Sequence, residues 1–248
     1  MYDRNSGGIE YIASSSQTNK NYCSSIAEFG FYYKKKQTND MYGCRYENIA
    51  PYSASHSFTP EIFLNPWGRN SKLISNGRDV GELIKLSEQT FELMMNKELP
   101  KSISISVLAD DEFRMLHSIF GNWSEGILGF SIKGHSKKVF VRENNLDLLM
   151  IVIGHEIGHV HTDTLPNKHD EEAKAFAFSI EWAKTIKKHD IAGLGMSIKE
   201  EFDFKPARNG LHDVALEFVI HEVRKGRSAL ELHKGLAGKY ISLFNNYT

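Results

Sequence analysis

Cysteine, long apolar runs and net charge are what this 248-residue sequence has least of. Its two cysteines, Cys23 and Cys44, both lie in the polar N-terminal part, which argues against a disulfide scaffold and indicates a reducing, cytoplasmic setting. The longest apolar run, residues 148–154, is far shorter than the roughly 20 residues that span a bilayer. The N-terminus also lacks the basic start and apolar run of a secretory signal, so we expect no membrane partner.

The charge is balanced, with a formal net charge of -1, so the chain has no global basic field and nucleic acid is not the expected partner. A hydrophobic content of 41% is enough for a core. Composition divides the chain into three predicted parts. These are a polar, loop-rich N-terminal extension and possible pro-segment (1–75), a core (76–188) and a helical C-terminal subdomain (189–248).

Apolar periodicity predicts an α+β fold, with a small mixed sheet packed on one motif-bearing helix and a mostly helical C-terminal part. Strands are predicted at 102–110, 127–133 and 138–142. Helices are predicted from Asp79 to before Pro100, over 110–121, from a cap at Asn144 or Asn145 to about 162, from near His169 to about 188, and on both sides of Gly226.

One motif carries chemistry: His155, Glu156 and His159 form an HExxH. Residues four apart lie on one face of a helix, so both imidazoles can bind one metal ion. Glu156 lies beside that face, where it can act as general base toward a water whose acidity a zinc ion has raised. Because the rest of the helix is apolar, we expect this polar trio to face a cleft.

A catalytic zinc site needs a third protein ligand. His161 is two residues beyond His159, so it should point away from the site and lie at the surface. Residues 165–167 break the helix, and the next helix can return a carboxylate to the metal. Glu172 fits best because Ala173 and Ala175 allow a close approach, while Asp170 and Glu171 remain open as alternatives.

At this point the chain resembles the gluzincin metallopeptidases, over roughly residues 100–188. The resemblance rests on the HExxH and on the "EAKA" that begins at Glu172. The "EAKA" looks like the thermolysin pattern and the related Glu-x-x-Ala of ImmA/IrrE-like and HtpX-like peptidases. The glycine and third histidine of the metzincin motif are replaced by Thr162 and Leu165, which excludes that family. Two departures stand out: only twelve residues separate His159 from Glu172, and Phe176 stands where Asp or Asn is common.

The resemblance implies one zinc ion per chain and a peptide or protein substrate bound along an edge strand, from residues 127–134 or 137–143. It also implies a donor to the oxyanion from a later helix. His212 is the best candidate for this catalytic role, ahead of Arg208, His221 and Tyr240. The competing hypotheses are an ImmA/IrrE-like regulatory protease and a zinc-stabilised protein-binding domain, each acting on one dedicated partner.

Overall fold

The computed structural model describes residues 58–70, 72–134, 136–202 and 210–244. All of them belong to one structural unit, Tyr46–Thr248, and the predicted divisions after residues 75 and 188 fall inside it. Phe63 and Ile74, from the predicted extension, are fully buried in the same core as the helices that follow. The predictions that concern Cys23, Cys44 and Arg208 lie outside the described residues.

The described residues form a mixed α+β structure. The α-helices are α1 (Val80–Met95), α2 (Asp110–Ser118), α3 (Leu146–Val160), α4 (Lys168–His189), α5 (Leu211–Arg224) and α6 (Ala229–Ala237). Short 3-10 helices span Pro60–Phe63, Ile191–Gly193 and Gly195–Ser197. Each α-helix begins or ends within a few residues of its predicted bound. No helix in the described part of the chain is both long and apolar enough to cross a membrane.

Polar side chains set two of the helix starts. The side-chain oxygen of Asn167 accepts hydrogen bonds from the backbone N–H groups of His169 and Asp170. The Ser228 hydroxyl accepts one from Glu231 N. These caps satisfy N–H groups that have no partner within the helix. Because Asn167 is the cap, α4 begins at Lys168, slightly earlier than the sequence predicted.

A three-stranded mixed sheet forms one layer. It consists of β2 (Ile103–Leu108), β3 (Gly129–Lys133) and β4 (Lys137–Arg142), in the order β2-β4-β3. The central strand β4 pairs parallel with β2 and antiparallel with β3, so β3 is an edge strand. A separate two-residue pair joins β1 (Leu73–Ile74) to β5 (Asn144–Asn145). The predicted alternation in β2 is confirmed, since Ile103, Ile105 and Val107 are buried.

Helix α3 lies at the centre of the structure, and all fifteen of its residues are buried. It packs against β3 and β4 on one side and against α4 on the other. Glycines allow the close approaches: a Cβ at Gly129 would lie 2.4 Å from Val152 Cγ1, and one at Gly158 would lie 3.0 Å from Ala175 Cα. The motif therefore stands on a helix that is surrounded on all sides.

Three lysines gather at the carboxyl end of α3. Lys133 donates to Thr162 O, Lys137 Nζ donates to His161 O at 3.2 Å, and Lys174 Nζ donates to His159 O at 3.3 Å. Ammonium groups satisfy carbonyls that lack intrahelical partners and complement the negative end of the helix dipole. One lysine comes from β3, one from β4 and one from α4, so this end of the motif helix is held from three elements.

Candidate metal centre

His155 and His159 present their Nε2 atoms to the same point. The two atoms lie 3.3 Å apart, and the side chains are buried. Both residues lie on α3 with a spacing of four, which places them one above the other. The structure therefore brings together the two imidazoles of the HExxH, as the sequence predicted.

Glu172, on α4, completes a group of three. Its Oε2 atom lies 3.5 Å from His155 Nε2 and 3.8 Å from His159 Nε2. The alternative ligands face elsewhere: Asp170 accepts hydrogen bonds from Ser242 Oγ and Leu243 N. Glu171 contacts the far nitrogen of His159, with Oε1 3.0 Å from Nδ1. Among the three carboxylates, Glu172 is the one directed at both Nε2 atoms.

Hydrogen bonds to the Nδ1 atoms fix which nitrogen of each imidazole is available. Ser179 donates its only hydroxyl proton to Ala175 O at 2.8 Å, so its oxygen must accept from His155 Nδ1, 3.2 Å away. Glu171 can likewise only accept from His159 Nδ1 when its carboxylate is ionised. In the neutral form of each imidazole, these contacts favour a proton on Nδ1 and direct the Nε2 lone pair toward Glu172, as a metal ligand requires.

The charges around Glu172 favour an ionised carboxylate. Burial would raise the pKa of Glu172, but His159, His212 and His155 hold the pKa well below its usual range. Burial would lower the pKa of His159, but Glu172 and Glu171 raise it above the ordinary value. Burial lowers the pKa of His155 to about 4. The centre thus combines an anionic oxygen with a neutral imidazole, His155.

Glu156 lies beside this group, with its side chain buried between α3 and β3. An added Cβ at Gly129 would lie 3.2 Å from Glu156 Cγ, so a glycine on the edge strand leaves room for the carboxyl group. Burial raises the pKa of Glu156, and a hydrogen bond with Ser131 opposes part of that shift. A raised pKa brings a carboxylate toward the range in which it can accept a proton near neutral pH.

His212 joins the centre from α5. Its Nε2 atom lies 3.0 Å from Glu172 Oε2, and the ligand atoms of His155, Glu172 and His212 all lie within 4.8 Å of one another. Two overlapping groups of three therefore share His155 and Glu172, one completed by His159 and the other by His212. The two other candidates among the described residues, His221 and Tyr240, are exposed.

The donor set fits zinc. Zinc binds imidazole nitrogen and carboxylate oxygen at about 2.0–2.2 Å, so neighbouring ligand atoms of a tetrahedral site lie about 3.4 Å apart. The distances within His155, His159 and Glu172 are 3.3, 3.5 and 3.8 Å. Glu172 Oε2 is also buried without a hydrogen bond of suitable geometry among the described residues. A cation would compensate that oxygen.

The site is enclosed, whereas the sequence predicted an open cleft. None of the five side chains His155, Glu156, His159, Glu172 and His212 exposes more than 6% of its surface. Phe58 covers His155, with parallel rings whose centroids are 4.0 Å apart. The pattern of α3 alone could not predict this enclosure, because Phe58 comes from a segment almost one hundred residues earlier in the sequence.

His161 points away from the metal centre, as the sequence predicted, but it does not lie at the surface, and several other contacts were not predicted. His161 is half-buried, and its ring packs near Phe91, Phe178 and His233, because side chains of α1, α4 and α6 cover this side of the end of α3. The contact between Ser179 and His155 was not predicted, nor was the burial of Lys174. No local pattern indicates either one, because polar residues on a helix are equally compatible with an exposed face.

Comparison of the chain with protein-family models, with curated proteins and with solved structures finds no match. The class of site is therefore defined by its own geometry. It is a buried centre of two or three imidazoles around one carboxylate, with a second carboxylic acid, Glu156, beside it.

Proposed function

We propose that the protein is a zinc-dependent metallopeptidase of the gluzincin type, with a peptide or protein substrate and a zincin-like arrangement of sheet and motif helix. The observation that carries the proposal is the set of distances between His155, His159 and Glu172, which matches the ligand spacing of tetrahedral zinc. Two histidines and one glutamate leave a fourth position for water or substrate, as in catalytic zinc sites.

Zinc held by these three residues would acidify a bound water and polarise the substrate carbonyl. Glu156 would accept a proton from the attacking water and pass it to the leaving amine. Its raised pKa suits both steps, because a group that titrates closer to neutral pH can accept and then release the proton. Ser131 and the close approach at Gly129 keep the carboxyl group in place.

His212 donates a hydrogen bond to the carbonyl oxygen as negative charge develops on it. Its Nε2 atom is 3.0 Å from Glu172 Oε2, so it reaches the same space as the metal ligands. Strand β3 is the edge strand next to α3, and its outer edge, unpaired among the described residues, can pair with an extended peptide. Strand β4, the other candidate, is central in the sheet and has no free edge.

The test compares Glu156→Gln with wild type, using zinc per chain and cleavage of casein or peptide libraries. The expected result is retained zinc and a loss of turnover of at least a hundredfold, because general base catalysis contributes about 10²–10⁴-fold. Glu88→Gln, an exposed position on α1, is the matched control and should behave as wild type. Undiminished cleavage by Glu156→Gln contradicts the proposed role.

Burial of the centre favours a second candidate, a zinc-stabilised protein-binding domain that acts on one dedicated partner. A substrate cannot reach side chains that are at most 6% exposed unless a covering element moves. With His212 as a fourth ligand the site would be closed, as structural zinc sites are. Zinc-dependent stability without cleavage of any substrate, and unaltered by Glu156→Gln, supports this candidate. Cleavage of a single partner protein supports an ImmA/IrrE-like regulatory protease.

A further inference from the structure

Glu171 is buried next to Glu172, but its carboxylate serves a different purpose. Consecutive helix residues point about 100° apart, so Glu172 is directed at the Nε2 atoms while Glu171 reaches the opposite side of His159. Its Oε1 lies 3.0 Å from His159 Nδ1, and its Oε2 accepts from Leu165 N at 2.7 Å. The carboxylate therefore joins the His159 ring to the turn between α3 and α4.

Lys174, one turn further along α4, is fully buried. Its ammonium group is 2.9 Å from Glu171 Oε2 and donates to Asp163 O at 2.9 Å and to His159 O at 3.3 Å. These three acceptors match the three N–H donors of an ammonium. A buried lysine is expensive unless it is paired and hydrogen-bonded, and here both conditions are met at the end of α3.

We propose that Glu171 and Lys174 form a positioning pair that fixes the His159 imidazole for metal binding. Glu171 accepts the Nδ1 proton, which makes Nε2 the nitrogen that carries the lone pair and sets the plane of the ring. Lys174 neutralises Glu171 and ties it to the backbone of the same residue, His159. The inference rests on the proposed metal site, but the imidazole tautomer can be measured without any metal.

The two histidines are held differently, which allows an internal comparison. His155 Nδ1 faces a neutral acceptor, Ser179 Oγ, at 3.2 Å. His159 Nδ1 faces a carboxylate at 3.0 Å, and such charge-assisted hydrogen bonds are about twice as strong. Loss of the Glu171 acceptor should therefore disturb His159 more than loss of the Ser179 hydroxyl disturbs His155.

The experiment uses two double variants, because a single change would leave one buried charge without its partner. Glu171→Gln with Lys174→Met keeps an amide oxygen as acceptor for Nδ1. Glu171→Leu with Lys174→Met removes the acceptor as well. Zinc dissociation constants are measured for the full chain by competition with a chelator, and urea unfolding verifies that each variant folds. Ser179→Ala is the matched control at the other histidine.

We expect zinc affinity to fall 10–100-fold in the leucine double variant and less than tenfold in the glutamine double variant. In metal-free protein at alkaline pH, two-bond proton–nitrogen correlation spectra should show His159 protonated on Nδ1 in wild type and in the glutamine variant, but not in the leucine variant. Equal zinc affinities in the two double variants, or an unchanged tautomer in both, overturn the positioning role. If wild type binds no zinc that His155→Ala removes, the proposed function fails, while the tautomer still tests the hydrogen bond.

Discussion

Gly158→Ala tests how closely the two helices of the site must approach. A Cβ at this position would lie 3.0 Å from Ala175 Cα, 3.0 Å from Phe178 Cβ and 3.1 Å from Ala175 O. Ordinary contacts begin at 3.4 Å, and two of these atoms belong to the α4 backbone, so α3 and α4 must separate by a few tenths of an ångström. Overpacking of this kind costs about 1–3 kcal/mol, while alanine recovers about 1 kcal/mol of helix propensity.

The matched control is Gly81→Ala, on α1, where an added Cβ would meet nothing within 4 Å. Both variants gain helix propensity, but only Gly158→Ala is overpacked, so their unfolding free energies should differ by about 1–3 kcal/mol in urea titrations with a chelator present. Zinc affinity should also fall about tenfold in Gly158→Ala, since α3 carries His155 and His159 while α4 carries Glu172. Equal stabilisation by the two substitutions would refute the close packing.

Three further predictions concern buried side chains. His233→Asn keeps a donor for Lys174 O but removes a histidine whose pKa burial lowers to about 4. Since the unfolded chain binds the proton first as pH falls from 6.5, this histidine alone should cost wild type up to about 3 kcal/mol between pH 6.5 and 4, in addition to the loss from His155, whose pKa is also about 4. The variant should lose less, and identical pH profiles in urea titrations would contradict this. Phe58→Ala should lower the free energy of unfolding by about 3 kcal/mol. It should also speed the removal of zinc by chelators, because Phe58 covers His155. An unchanged removal rate would mean that the chelator reaches the metal by another route. Arg69→Met should cost about 2 kcal/mol in thermal unfolding, because fully buried Asp147 loses its ionic partner at 2.6 Å while Arg69 itself is partly exposed. A cost near zero would show that the backbone donors to Asp147, Asn70 N and Leu148 N, suffice.

The order of helices and strands could be predicted because each element has a strong local pattern. The structure agrees with three such local patterns: the alternation in β2, the N-cap at Ser228 and the interruption between two helices near residue 166. The sequence could not reveal that β4 is central, because pairing order depends on contacts between distant residues. It also could not reveal that α3 is buried on every side, since an apolar helix with three polar residues is compatible with an open cleft.

The site was predictable to the extent that helix geometry determines it. The spacing of His155 and His159 fixes their common face, and the short connection before α4 limits which carboxylate can return. Glu172 was preferred over Glu171 because of its small neighbours, and Glu172 is the carboxylate directed at both Nε2 atoms. The contact of Phe58 with His155 depends on tertiary packing alone, and no local pattern predicts it.

Charge balance explains why two central helices carry so many ionisable groups. Glu171 is neutralised by Lys174 at 2.9 Å, so that pair adds no net charge to the core. Burial raises the pKa of Glu156 toward the range in which a carboxylate can accept and release a proton. The carboxylate of Glu172 stays ionised despite its burial, because neighbouring histidines hold its pKa well below its usual range. A buried anion is costly unless it is paired and hydrogen-bonded, and imidazole nitrogens of the three histidines lie 3.0–3.8 Å from the Oε2 atom of Glu172. A protonated imidazole or a metal ion can supply the positive charge, and a metal ion at the proposed zinc site would contact all of these atoms at once.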